Sequence, residues 1–133
     1  MLLLDTCALI WSVNGDRLAP YATHEIEKAL RGKCVLVPGV CMGNRVAGEP
    51  EKNNAGRAGG GIGEAVFARP GIRIAALTPD IAVRASFLPG VLHPDPADRL
   101  LVSTALAMGL RLVTRDQRLI EYGAQGYAAV LEC

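Results

Sequence analysis

Aromatic residues are scarce, 5% of 133 residues, and so a platform on which successive bases stack is excluded. Charge of one sign is lacking as well: 14 Lys and Arg stand against 13 Asp and Glu, a formal net charge of +1. That balance excludes a polybasic nucleic-acid clamp and an acidic tail, so any nucleic acid must be held by local chemistry. Long apolar runs are also absent. Met1–Leu4 is interrupted by Asp5, and nothing approaches the roughly 18 consecutive apolar residues of a membrane span. A soluble, cytoplasmic protein with no membrane partner is therefore expected. The four cysteines (Cys7, Cys34, Cys41, Cys133) are separated by 26, 6 and 91 residues. They form no CxxC pair of the kind that holds zinc or a redox centre. Reduced, mostly buried thiols are expected instead.

Half of the residues are apolar, enough at this length to close one core but not two. A single domain over 1–133 follows. Glycine is the uneven component: eight of the 15 fall between Pro38 and Gly63, in PGVCMGNRVAGEPEKNNAGRAGGGIG. Glycine has the most backbone freedom to lose on ordering, so 38–63 is expected to be irregular or poorly ordered.

On either side the pattern is that of ordinary alternating elements. Leu2–Leu4 reads as a short buried strand, and Asp5-Thr6 offers capping oxygens to a helix running to about Val13. Pro20 to Leu30 reads as a helix with proline in its first turn and Gly32 at its end. Cys34–Val37 is a second strand, and Glu64–Ala68 a short helix. Ile72–Leu77 reads as a third strand, and Thr78-Pro79-Asp80 opens a helix to about Phe87. Asp95-Pro96 starts the longest helix, with Leu100, Leu101, Thr104, Ala105 and Met108 at helical spacing, ended by Gly109. Leu110–Thr114 is a fourth strand, Asp116–Tyr122 a further helix, and Ala128–Leu131 a last strand. Short strands alternating with helices predict an α/β fold: a parallel sheet of four or five strands covered on both faces.

Ligands in such folds bind beyond the carboxyl ends of the strands. Asp5 directly follows the first strand and Asp116 lies two residues after the fourth. Asp98 lies in the first turn of the long helix, with Asp95 just before it. Converging there, these acids repel one another and call for a neutralising cation. Hard oxygen ligands suit Mg²⁺ or Mn²⁺, and a metal held between acids activates water for attack on a phosphodiester. Each acid also has a plainer reading, because Asp at a helix start caps free N–H groups. Asp5 resists that reading most, since an acid ending a central apolar strand is costly unless paired or metal-bound.

Thr6 and Thr114 are local capping partners or orienters of carboxylates and water. Arg99, Arg111, Arg115 and Arg118 flank the acids, where they bind a phosphate backbone or, more often for such arginines, form a solvated face or pair with acids. His24 and His93 read as bystanders, and Trp11 as core. Gly59–Gly63 lacks the lysine of a phosphate loop and follows no strand.

Taken together these residues resemble a PIN domain, in particular the VapC-type toxins of toxin–antitoxin pairs. Four blocks carry the resemblance: Met1 to Trp11 with Asp5, Pro70 to Ala82, His93 to Ala105 with Asp95 and Asp98, and Leu112 to Asp116. The resemblance implies a PIN-like three-layer fold. It further implies a magnesium-dependent endoribonuclease that acts on RNA, is inhibited by a cognate antitoxin protein and is often a homodimer. Asp5, Asp98 and Asp116 would be its metal-site acids and Asp95 a secondary member.

One block departs. Where the family carries a helix reading like Trp-Glu-Ile-Ala, whose Glu is a metal-site acid, this chain has the glycine-rich stretch. Glu49 and Glu51 lie downstream beside Pro50, poor ground for a helical ligand. Any gene spelling Met42-Gly43 contains ATG-GGN, and one base later this reads TGG, a tryptophan codon. In that frame the codons of 37–46 permit Ser-Pro-Val-Ser-Ala-Trp-Glu-Ile-Ala, of which only the tryptophan is forced. A compensated pair of frameshifts, natural or from sequencing error, accounts for the stretch; a native glycine-rich insertion is the alternative.

Three functions follow: a metal-dependent ribonuclease, whether intact or impaired by the missing Glu, a catalytically dead PIN domain that binds an antitoxin or a second copy, and a receiver-like or small nucleotide-binding α/β domain that uses the acids for Mg²⁺ alone. The third lacks the lysine usual after a late strand of a receiver.

Overall fold

The computed structural model describes residues 1–32, 35–38 and 69–133. Five short strands make one parallel sheet: β1 (Leu2–Leu4), β2 (Val35–Pro38), β3 (Ile72–Ala75), β4 (Arg111–Thr114) and β5 (Val130–Glu132), in the order β3-β2-β1-β4-β5. The central strand β1 pairs with β2 on one side and β4 on the other, with Leu3 opposite both Leu36 and Leu112. Because successive side chains point to opposite faces, one three-leucine strand feeds two cores, one on each face of the sheet, where the length led to the expectation of a single core. Leu2 and Leu4 join Ala8, Leu9, Ala22, Ile26 and Val113 on one face. Leu3 joins Leu101, Val102, Ala105, Leu112, Leu119 and Tyr122 on the other.

Helices close both layers, as the alternating pattern predicts. On the first face lie α1 (Thr6–Asn14) and α2 (Pro20–Arg31), the latter with Pro20 in its first turn and Ala22 and Ile26, four residues apart, buried. The second face carries α4 (Pro96–Met108) and α5 (Gln117–Ala124). The short α3 (Pro79–Arg84), capped by Thr78, runs into a 3₁₀ turn at Ala85–Phe87, where a single α-helix was expected. In α4, five consecutive residues, Leu101 to Ala105, are buried. This run is wider than one apolar stripe because α4 meets the core on one side and α3 on another, where Ser103 Oγ donates to Ile81 O at 2.7 Å. Met108, expected on the apolar face, is 40% exposed.

Strand ends differ from the sequence expectation wherever the ladder stops. The β2–β3 ladder ends at Pro38 and Ala75, leaving Ala76 and Leu77 exposed beyond it. The β4–β5 register pairs Leu112 with Val130, so β5 begins two residues later than expected. Residues 33 and 34 and 39–68 lie outside the described residues. The expected irregularity of 38–63, Pro38 apart, the helix at Glu64–Ala68, Cys34, Cys41, Glu49 and Glu51 therefore lie there too. Of the other cysteines, Cys7 is half-buried and Cys133 buried.

Candidate active site

All five strands are parallel, so their carboxyl ends share one edge, and the order β3-β2-β1-β4-β5 puts the switch point between β1 and β4. Among the described residues, three helices capped by an aspartate begin near this edge. Asp5 extends the ladder by one bond, its N–H donating to Val113 O at 3.0 Å. Its Oδ1 accepts from Cys7 N at 3.2 Å and its Oδ2 from Thr114 Oγ1 at 2.8 Å. Thr114, fully buried at the end of β4, accepts in turn from Asp116 N at 3.1 Å. One hydroxyl thus ties the acid after β1 to the backbone that starts α5.

Asp116 caps α5 through Oδ1, which accepts from Arg118 N at 2.8 Å. Asp95 caps α4, its Oδ1 accepting from Ala97 N at 2.9 Å and Asp98 N at 3.2 Å. Capping is therefore an observed role of Asp5, Asp95 and Asp116. It does not exhaust them: Asp5 and Asp116 cap with Oδ1 and meet other partners with Oδ2. The helix N-termini also offset part of the repulsion that clustered carboxylates generate.

Asp98 is not a cap. Its Oδ2 lies 2.7 Å from His93 Nε2 and 4.0 Å from Arg118 Nη2. The same Arg118 Nη2 is 3.2 Å from Asp116 Oδ2, so one guanidinium stands between two of the acids. Their proton affinities diverge accordingly. Burial raises the Asp98 carboxyl above the ordinary aspartate value, with the charges of Asp95 and Asp116 adding and the His93 hydrogen bond opposing. The Arg118 hydrogen bond holds Asp116 below that value.

The four acids named from the sequence are thus brought together: Asp5 to Asp116 through Thr114, Asp116 to Asp98 through Arg118, and Asp98 to Asp95 within one helix cap. His93, Asp95 and Asp98 each offer a ligand atom within 4.8 Å of the others. His93, expected to be a bystander, is instead in direct contact with an acid. Its five-residue separation from Asp98 crosses the non-helical Pro94-Asp95 before α4 begins at Pro96, where no periodicity reveals a contact. The signal available was a histidine flanking a proline-fixed acid. Arg118 fulfils the pairing alternative for the arginines. Arg99 spends its guanidinium on Ala85 O at 2.8 Å and Leu92 O at 3.0 Å. Arg115 bonds Cys133 O at 2.6 Å and also Arg17 O, and lies over the Trp11 ring. These two hold backbone in place. Arg111 is near Glu25 at the other end of β4. Thr6 Oγ1 and His93 Nδ1 are buried without a hydrogen-bond partner among the described residues. Carboxylates with one imidazole form a donor set of the kind that holds divalent cations.

Fold and edge together define a PIN-like α/β domain with acids at its switch point. No protein-family model matches the chain. It is 48% identical over 48 residues to "Ribonuclease VapC22" of Mycobacterium tuberculosis, a match that spans 36% of this chain and 37% of that relative. A chain in the "Crystal structure of VapBC2 from Rickettsia felis bound to a DNA fragment from their promoter" shares the fold at a TM-score of 0.66. That match covers 98% of this chain and 97% of the other at 14% identity. The chain therefore resembles VapC-type PIN domain proteins, in sequence over about a third of its length and in fold over nearly all of it. Among the described residues no helix is long and apolar enough to cross a membrane.

Proposed function

We propose that this chain is a metal-dependent endoribonuclease of the VapC type, the toxin of a toxin–antitoxin pair, with Asp5, Asp98 and Asp116 as its metal-site acids and Asp95 as a secondary member. The observation that carries this is the convergence of those acids at the switch point, two of them oriented through the buried Thr114. Mg²⁺ or Mn²⁺ fits the carboxylate donors, and such an ion, when bound, activates water and stabilises charge on a phosphodiester in in-line hydrolysis. The chain's own residues supply the rest. Thr114 fixes Asp5 through its Oδ2, and Arg118, exposed at the rim, balances Asp98 and Asp116. The partners on this reading are an RNA substrate, a cognate antitoxin and a second copy of the chain, and the compartment is the cytoplasm.

The test is RNA cleavage by the purified chain with Mg²⁺, with Mn²⁺ and with chelator. Cleavage is expected only with metal, and Asp5→Asn or Asp98→Asn should lower it by about 100-fold or more. Metal-independent cleavage, or full activity in both variants, defeats the proposal.

A second reading is supported by the sequence itself: the block that carries the family's further acid is replaced by PGVCMGNRVAGEPEKNNAGRAGGGIG. On that reading the chain is a catalytically dead module that binds an antitoxin or dimerises. Tight partner binding without cleavage in any metal would select it.

A further inference from the structure

His93 sits where both sides of its backbone are restrained. It precedes Pro94, and Asp95 precedes Pro96; a residue before proline is steered away from helical geometry. Asp95 shows this, with φ −58 and ψ 117. Upstream, Leu92 is buried in the second core, and its carbonyl accepts from Arg99 Nη1 at 3.0 Å while Arg99 Nε holds Ala85 O at 2.8 Å. The imidazole thus projects from a segment anchored in the core on one side and stiffened by two prolines on the other.

The ring is engaged at one atom. Nε2 lies 2.7 Å from Asp98 Oδ2, and Nδ1 is buried with no partner among the described residues. The hydrogen is assigned to Nε2 from this network, because on Nδ1 it would be a buried donor left unpaired. His93 therefore donates a short bond to the one metal-site acid that is not a helix cap. Asp5 and Asp116 have backbone N–H groups to orient their carboxylates; Asp98 has the imidazole.

We infer that His93 is a positioning residue for Asp98, holding its carboxylate in one orientation so that a divalent cation meets a preformed ligand. The inference rests on the metal-dependent reading above. It gives His93 the part that the caps play for the other acids.

Mn²⁺ titration of the metal-free chain by calorimetry tests it. His93→Phe is expected to weaken Mn²⁺ binding about 10-fold, the scale on which such supporting partners act. His93→Gln, whose side-chain amide can donate to the same oxygen, should recover most of that loss. Thermal midpoints of both variants should stay near that of the parent, and His93→Ala replaces His93→Phe if the latter does not fold. Unchanged Mn²⁺ affinity in the variant lacking the donor overturns the inference. So does an imidazole nitrogen coupled directly to Mn²⁺ in the electron spin-echo spectrum of the parent, which makes His93 a ligand. Asp5→Asn and Asp98→Asn separate the two levels. If neither alters Mn²⁺ affinity, the metal-dependent reading falls and the inference with it; if Asp98→Asn weakens binding and loss of the imidazole does not, positioning alone falls.

Discussion

Thr114 carries more of the site than its size suggests, because its single hydroxyl donates to Asp5 and accepts from the Asp116 backbone. Thr114→Val keeps the shape and removes both bonds, stranding an N–H and part of a carboxylate. A loss of about 1–3 kcal/mol in urea unfolding is expected, with Thr114→Ser restoring most of it; parity of Val with the parent would show the bonds to be idle. Asp98 and Asp116 respond to pH in opposite senses. Burial raises Asp98, so in the metal-free chain its ionised form opposes folding, and the penalty fades as pH falls through the raised value toward the unfolded one. Arg118 lowers Asp116, so its contribution is present above the unfolded value and is lost as pH falls through the lowered one. Metal-free Asp98→Asn should therefore be more stable than the parent at neutral pH and converge with it near pH ~4. Urea midpoints across that range measure this, and an offset independent of pH would count against burial as the cause.

Among the elements, helix starts were the most legible features. Thr78-Pro79, Asp95-Pro96 and Asp116 each combine a capping oxygen with a helix behind it, and each caps as expected. This chemistry is local, satisfied within three residues. Strand ends were less legible, because they depend on a neighbour: β3 stops where its ladder with β2 stops. The entry to β3 depends on a neighbour too. Gly71 has φ +98, and a Cβ there would lie 2.6 Å from Leu30 O at the end of α2. Gly126 has φ +87 with nothing within 4 Å. Gly126→Ala should cost about 1 kcal/mol for its backbone conformation alone, whereas Gly71→Ala adds a backbone clash and should cost at least about 2 kcal/mol. Equal thermal midpoints for the two would show that α2 yields at this point.

For the molecule as a whole, alternation of strand and helix was sufficient to place the acids. A parallel sheet puts every carboxyl end on one edge, so Asp5 and Asp116 are linked through Thr114 although 110 residues separate them along the chain. The acid that the resemblance leads one to expect in a further block is a matter of sequence, and it can be supplied. A chain in which 38–63 carries the Trp-Glu-Ile-Ala block that the shifted codons permit should bind Mn²⁺ at least about 10-fold more tightly, since affinity follows the charge count of the ligands. Calorimetry against the parent chain measures this, and no gain would leave the native-insertion account standing. The codons for 37–46 decide between the two origins directly.

By itself the sequence determined what is local or periodic: the two-faced leucine strand, the capped helices, the alternation that makes the sheet parallel, and hence which acids share an edge. Tertiary structure decided which side chains those acids touch. Arg118 bridges Asp98 and Asp116 while Arg99 and Arg115 hold backbone, and His93 reaches Asp98 across a turn held by prolines. Capping needs only neighbours within one turn of chain, whereas these contacts depend on how separate segments pack, and residue spacing carries no record of that.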